Sequence, residues 1–119
     1  LHYIPLIAPT TSDERLAAIA PHTTSFAYGV SVTGVTGARQ GVSHGLDTYL
    51  KRVRKHFSKF VVGFGISTAD DARKIAGMAD GVVVGSALVR VLGEATSCDN
   101  AVDRITSFVG GLREAIDNL

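Results

Sequence analysis

The 119-residue sequence contains no tryptophan, one cysteine (Cys98), one methionine and three prolines. A lone cysteine excludes an internal disulfide and fits a reducing, cytoplasmic compartment. The net charge is only +1, and no basic tract stands out, so electrostatics give no footing for a nucleic-acid or membrane partner. Three tyrosines and five phenylalanines are scattered along the chain and form no stacking platform. No apolar run approaches the ~20 residues of a membrane span, and the N-terminus lacks a charged-then-apolar signal pattern. His2, His22, His44 and His56 have no metal-ligand spacing, and no Ser-His-Asp set can be assembled. Cys98 has no cationic neighbour in sequence to activate it and reads as inert.

What remains is a soluble globular composition, 45% hydrophobic and 19% charged, long enough to bury a core as one domain, residues 1–119. The chain opens Leu1-His2-Tyr3-Ile4, without methionine and already inside an apolar run. That start predicts a segment of a longer chain.

Strand-like and helix-like stretches alternate. Tyr3 to Ala8 reads as a short strand, with Pro5 marking an edge or a strand start. Ser12 caps a helix with Asp13 and Glu14 in its first turn, Leu16, Ile19 and Ala20 on its apolar stripe, and Pro21 at its end. Thr24 to Val30 is a second strand. It leads into a glycine-rich connection running to Gly45, far longer than the ~2–6 residues usual in an α/β unit and therefore a candidate lid. From Leu46 the period is helical, with Leu46, Leu50, Val53 and Phe57 on one face and Lys51, Arg52, Arg54 and Lys55 off it. The basic cluster reads as a solvated helix face. Phe60 to Phe64 is a third strand. Ser67 or Thr68 caps the next helix, whose inner positions are Ala72, Ile75, Ala76 and Ala79. Gly81 to Val84 is a fourth strand, continuous in valine as expected of a parallel strand buried on both faces. A short helical turn, Ser86 to Val91, and a connector, Gly93 to Ser97, precede a last helix from Asp99 or Asn100. That helix packs with Val102, Ile105, Phe108, Val109, Leu112 and Ile116, and Gly110-Gly111 costs it roughly 1 kcal/mol per glycine. Helical crossovers imply parallel strands, in an open sheet or in half of an eight-stranded barrel.

Two junctions in the second half are built alike. Lys59-Phe60-Val61-Val62-Gly63-Phe64-Gly65-Ile66-Ser67 and Asp80-Gly81-Val82-Val83-Val84-Gly85-Ser86-Ala87 each run from a β-branched strand through glycine to a helix start. Glycine there admits a close ligand, and a helix N-terminus offers free N–H groups and a positive dipole end. Turn chemistry explains one such glycine. Two in successive units predict a phosphate cup made by Gly65, Gly85, Ser86 and Gly37 from the long connection. Barrels often bind phosphate at the loops after strands seven and eight.

These motifs, taken in order, resemble the tryptophan synthase alpha subunit. Phe26-Ala27-Tyr28, Ser31-Val32-Thr33-Gly34-Val35-Thr36-Gly37, Gly63-Phe64-Gly65-Ile66-Ser67 and Ala79-Asp80-Gly81-Val82-Val83-Val84-Gly85-Ser86-Ala87 carry the resemblance, with Ile7-Ala8-Pro9-Thr10-Thr11 and Arg15-Leu16 near the start. It runs over nearly the whole chain. It implies the C-terminal half, strands five to eight, of a parallel (β/α)8 TIM barrel. It further implies a lyase that cleaves indole-3-glycerol phosphate to indole and glyceraldehyde 3-phosphate in tryptophan biosynthesis. By the same resemblance Gly37, Gly65, Gly85 and Ser86 hold the substrate phosphate, Tyr28 and Phe64 line the indole pocket, and Thr36 belongs to a lid that reaches a catalytic aspartate. The implied enzyme needs no cofactor, and pyridoxal phosphate belongs only to the partner beta subunit. Some members carry arginine where this chain has Val32.

Carbon–carbon cleavage of that substrate needs a general acid and a general base. Asp13, Asp70 and Asp71 sit in helix first turns, Asp47, Asp103 and Glu114 in helix bodies, and Asp80 ahead of a strand, so none reads as a strand's C-terminal carboxylate. The resemblance assigns the catalytic glutamate and aspartate to earlier strands, and the segment alone is expected to bind phosphate without catalysing. Two alternatives stand beside this reading. One is another phosphate-binding TIM-barrel enzyme, such as an isomerase of a phosphorylated sugar. The other is a non-catalytic half-barrel whose exposed sheet edges lead it to self-associate.

Overall fold

The structure, a computed structural model, describes residues 1–31, 44–63 and 65–119. Four parallel strands form one sheet in the order β1 (Leu6–Ile7), β2 (Ala27–Val30), β3 (Phe60–Gly63) and β4 (Gly81–Val83). The helices described between and after them are α1 (Asp13–Ile19), α2 (His44–His56), α3 (Ala69–Ala76), α4 (Ser86–Gly93) and α5 (Cys98–Asp117), with a 3₁₀ turn at Ala20–His22. Strand order equal to chain order is what successive βα crossovers produce.

The strands are shorter than the apolar runs that announced them. Pro5 and Tyr3 lie outside β1, yet the Pro5 carbonyl accepts the Tyr28 N–H at 2.8 Å. Proline lacks only the donor, so it can precede the strand and still serve the ladder.

Side-chain alternation divides the sheet into two faces. Ile7, Ala27, Phe60 and Val62 are fully buried against the helices, where Leu16, Leu46, Leu50, Val53, Phe57, Ala72, Ile75 and Leu112 complete the core. On the opposite face lie Leu6, Tyr28, Val30, Val61 and Val83, in register across the strands. Leu6 is 69% exposed and Val83 37% exposed. The expectation of a fourth strand buried on both faces therefore fails at Val83. β4 is the last strand of the four-stranded sheet, and no layer covers this face among the described residues.

The helix ends follow their capping chemistry. Ser12 Oγ accepts the Arg15 N–H and starts α1. Thr68 and Asp71 form a full capping box on α3, each side chain satisfying the other's backbone N–H. Ser97 caps α5 by accepting the Asn100 N–H, one or two residues earlier than expected. Cys98 is therefore an exposed first-turn residue of α5 rather than part of a connector.

α5 runs unbroken through Gly110-Gly111. Packing of Leu112, Ala115, Phe108 and Ile116 offsets the two glycines. Val102 and Val109, expected to pack, are 62% and 46% exposed.

The basic face of α2 divides. Lys51 and Lys55 are solvent-exposed, but Arg52 and Arg54 hold the structure together. Arg52 donates from Nη2 to the Pro9 and Thr11 carbonyls at 3.1 and 2.6 Å. Arg54 reaches Asp80, the residue just ahead of β4, at 2.8 Å. A guanidinium fork can satisfy carbonyls that two chain segments leave over, which a period argument along one helix does not anticipate.

Candidate functional site at the C-terminal ends of the strands

The β3–β4 register pairs Val61 with Gly81, Val62 with Val82 and Gly63 with Val83. Gly65 and Gly85 each lie two residues beyond the last registered pair, Gly63 with Val83, past the C-terminal ends of β3 and β4. The glycines have different local reasons. Gly65 has φ of +76°, a left-handed backbone that strains any residue with a Cβ. Gly85 has φ of −115°, and a Cβ there would meet nothing within 4 Å. Among the described residues neither crowding nor a positive φ requires glycine at 85, so the space above its backbone is available to another group.

Gly85 is the N-cap of α4, and no side chain caps that helix. Ser86, exposed, is its first residue. The N-terminal N–H groups of the eight-residue α4 thus lack a side-chain cap beside that open space, a geometry suited to an anion. α3, starting beyond Gly65, differs: Thr68 and Asp71 occupy its N-terminus themselves. Partial burial pushes the Asp71 carboxyl up, but its bonds with Thr68 and Ser67 and the nearby Lys74 outweigh this and hold it below the usual range. Of the two matching junctions, only the second leaves its helix start uncapped by a side chain.

Tyr28 sits on the uncovered face of the sheet, two residues before β2 ends. Its phenol leans over Gly63 on the neighbouring strand: a Cβ at Gly63 would lie 1.8 Å from the Tyr28 hydroxyl oxygen. The aromatic assigned to a pocket wall is therefore half-buried on the face of the sheet that carries Gly63 and Val83, the strand ends that lead to Gly65 and Gly85. Thr36, Gly37 and Phe64, together with Val32, lie outside the described residues.

Two residues that fix this end of the sheet escaped the sequence reading. Ser31 is buried and donates from both its N–H and its hydroxyl to the Gly63 carbonyl, each at 3.1 Å. Tyr49 is buried on α2 and donates to the Ile7 carbonyl at 2.7 Å. Burial pushes its phenol up to about 12, against the opposing pull of Arg52. Its spacing from Leu46 and Val53 places it on α2's apolar face, a signal hidden by its polar tip.

Asp80 lies at the other end. Its Oδ2 accepts the Phe60 N–H at 2.9 Å and the Arg54 Nη1 at 2.8 Å. Partial burial raises its carboxyl, while the Phe60 N–H, Arg54 and Lys59 together bring it below the usual range. It precedes β4, at the end where a barrel keeps its stabilising contacts rather than its chemistry. No group of three or more His, Cys, Asp or Glu able to hold a metal occurs among the described residues. In the same set, no helix is long and apolar enough to cross a membrane.

This geometry has close counterparts. The chain is 44% identical over 119 residues to the tryptophan synthase alpha chain of Geobacter sulfurreducens, covering 99% of this chain and 45% of that protein. It is 48% identical over 112 residues to the one from Pelobacter propionicus, covering 93% of this chain and 42% of that protein. It thus spans less than half the length of the curated relatives it matches. Among solved structures, it superposes on the tryptophan synthase alpha chain of Legionella pneumophila with a TM-score of 0.81 at 31% identity, covering all of this chain and 44% of that one. On a Mycobacterium tuberculosis tryptophan synthase in an aminoacrylate-bound form the TM-score is 0.75, at 31% identity and over 98% and 40% of the two chains. The parallel βα units are accordingly part of a TIM-barrel fold of the alpha-chain type. With the model of the family "Tryptophan synthase alpha chain" matching residues 1–117, the chain belongs to that family of lyases of tryptophan biosynthesis.

Proposed function

We propose that this chain is the C-terminal half of the barrel, strands five to eight, and that it supplies the phosphate-gripping end of the alpha-chain site. In this reading the tail of indole-3-glycerol phosphate is held by backbone N–H groups of Gly65, Gly85 and Ser86, the Ser86 hydroxyl and Gly37. Tyr28 and Phe64 wall the indole, and Thr36 belongs to a loop that closes over the substrate. The observation that carries the reading is the start of α4 beyond β4, which has no side-chain cap and has open space over Gly85 among the described residues.

The chemistry that converts indole-3-glycerol phosphate to indole and glyceraldehyde 3-phosphate needs an acid and a base. The described carboxylates lie on helices, in connections or, with Asp80, before a strand, and none is itself a strand residue. The glutamate and aspartate are therefore assigned to the part of the relatives' length that this chain does not span. The segment binds and orients; it supplies neither proton donor nor acceptor. The assembled alpha chain would pass indole to a beta subunit, the bearer of pyridoxal phosphate, and tryptophan synthase structures among the matches are consistent with that partner.

Titration of inorganic phosphate into the 119-residue chain, followed through its backbone amide resonances, tests the grip. Saturable shifts centred on Gly65, Gly85 and Ser86 are expected; shifts elsewhere, or none, would remove it. Activity of a complete chain carrying Thr36→Val tests the lid, and an unchanged lyase rate would withdraw that role.

The face of Leu6, Tyr28, Val30, Val61 and Val83, without a covering layer among the described residues, favours a second reading for the 119-residue chain by itself, in which copies associate through it. Sedimentation distinguishes the two: a clean monomer that still binds phosphate sinks the association.

A further inference from the structure

The two glycines of the cup each follow by two residues the last registered pair of β3 and β4, Gly63 with Val83, yet the side chains of β4 specify that register poorly. β4 has three residues, begins with Gly81, and exposes Val83. Short glycine-containing strands with one face uncovered are where register slips most easily, and a slip of one residue exchanges the two faces. A second lock exists at the opposite end of the strands. Asp80 and Phe60 exchange two bonds, the Asp80 N–H donating to the Phe60 carbonyl and the Phe60 N–H donating to Asp80 Oδ2, both at 2.9 Å. Arg54, near the end of α2, gathers this pair. Its Nη1 meets Asp80 Oδ2 at 2.8 Å and the Ser58 carbonyl at 3.0 Å, and its Nη2 meets the Met78 carbonyl at 3.4 Å. Its guanidinium also lies 4.4 Å above the centre of the Phe60 ring. Three pieces of chain (the α2–β3 connection, the α3–β4 connection and the first residue of β3) thus meet on one side chain.

We propose that Arg54 and Asp80 are positioning residues for the cup. By locking the leading ends of β3 and β4 in the one register that pairs residue 61 with 81 and 63 with 83, they fix where the two strands end and hence where the chain enters Gly65 and Gly85. Neither residue touches the cup, and the effect travels along two short, directly bonded strands. The functional half of this inference rests on the phosphate reading; the mechanical half does not.

The test uses the 119-residue chain with Asp80→Asn, Arg54→Met and the milder Arg54→Lys, which still reports should the first two fail to fold. Asp47→Asn, which breaks only the exposed pair with Lys51 on the same helix, is the control. Amide exchange in the β3–β4 ladder should accelerate on the order of tenfold relative to the β1–β2 ladder in Asp80→Asn and Arg54→Met. The Gly65 and Gly85 amide resonances should move with it, with Arg54→Lys intermediate and Asp47→Asn unchanged. The inorganic phosphate Kd should weaken in the same order. If exchange rises equally across both ladders and the Gly65 and Gly85 resonances stay in place, the pair merely stabilises and the proposal falls. Should inorganic phosphate leave Gly65 and Gly85 unmoved in the unmodified chain, the phosphate reading fails, and the exchange comparison still decides the clamp.

Discussion

The Tyr28 hydroxyl occupies the space that a side chain on Gly63 would need: a built Cβ falls 1.8 Å from the oxygen and 2.5 Å from Cζ. No Cβ contact is tolerated at those distances, so the two positions have one joint solution. The ring of Tyr28 on β2 requires the absence of a side chain at residue 63 on β3. The relationship also keeps Tyr28 leaning toward the cup end of the sheet.

Gly63→Ala is therefore expected to destabilise the chain by at least about 2 kcal/mol, as overpacking of a close contact does. Tyr28→Leu removes the clash, so the double variant should be more stable than the sum of the single losses. Denaturant melts of the four proteins form the cycle. Strict additivity would show that the ring and the glycine are not in contact.

Tyr49→Phe should cost about 1–2 kcal/mol, because it leaves the Ile7 carbonyl without its 2.7 Å donor in a buried setting. The volume hardly changes, so the loss belongs to the hydrogen bond. The same measurement on Tyr3→Phe, at an exposed position, should give nearly nothing.

Gly65 and Gly85 should separate stability from binding. Gly65→Ala forces a Cβ onto a φ of +76° and should cost roughly 1–2 kcal/mol. Gly85→Ala enters open space at a negative φ, and its melting curve should move little. If the cup binds phosphate, Gly85→Ala should nonetheless weaken inorganic phosphate binding, read by amide titration. Undiminished binding would place the anion elsewhere.

Asp71 and Asp80 predict an acid-sensitive fold. Both folded carboxyls lie below their ordinary value, so each contributes stability that is present above the unfolded pKa of about 3.9. That contribution is lost as pH falls from there through the folded value. Melting temperature should drop below about pH 4, more steeply in the parent than in Asp71→Asn or Asp80→Asn. Thr68→Ala, which breaks the same capping box, should cost about 1 kcal/mol at neutral pH. A parent whose acid slope matches both Asn variants would refute the assignment.

Much of the fold could be read from particular residues. Leu46, Leu50, Val53 and Phe57 recur at helical spacing and are all buried, the first three on α2 and Phe57 just past its end. Ser12 and Thr68 cap the helices they were expected to cap, because a capping hydroxyl bonds within three residues of itself. The glycines of the two junctions were legible for the same local reason: a strand that ends on glycine and opens a helix announces itself in consecutive residues. Long-range partners were not legible. Nothing near Arg54 in sequence points to Asp80, twenty-six positions away, and nothing near Tyr49 points to Ile7. Val83 and Val109 read as core because apolarity along a chain does not say whether another layer covers it.

The two strand-glycine-helix junctions were determined by the sequence alone, since their ingredients are local backbone preferences and helix-start chemistry. Only the tertiary structure decided that they are unequal. Asp71 and Thr68 fold back onto the start of α3 and fill it, whereas the start of α4 has no side-chain cap and faces open space. The tertiary structure also supplied the parallel register of the two strands that lead to the junctions, with Arg54 and Asp80 bonded at its far end. Helix spacing and turn chemistry act over a few residues and are written in order along the chain. Register and cover depend on segments that meet only after folding.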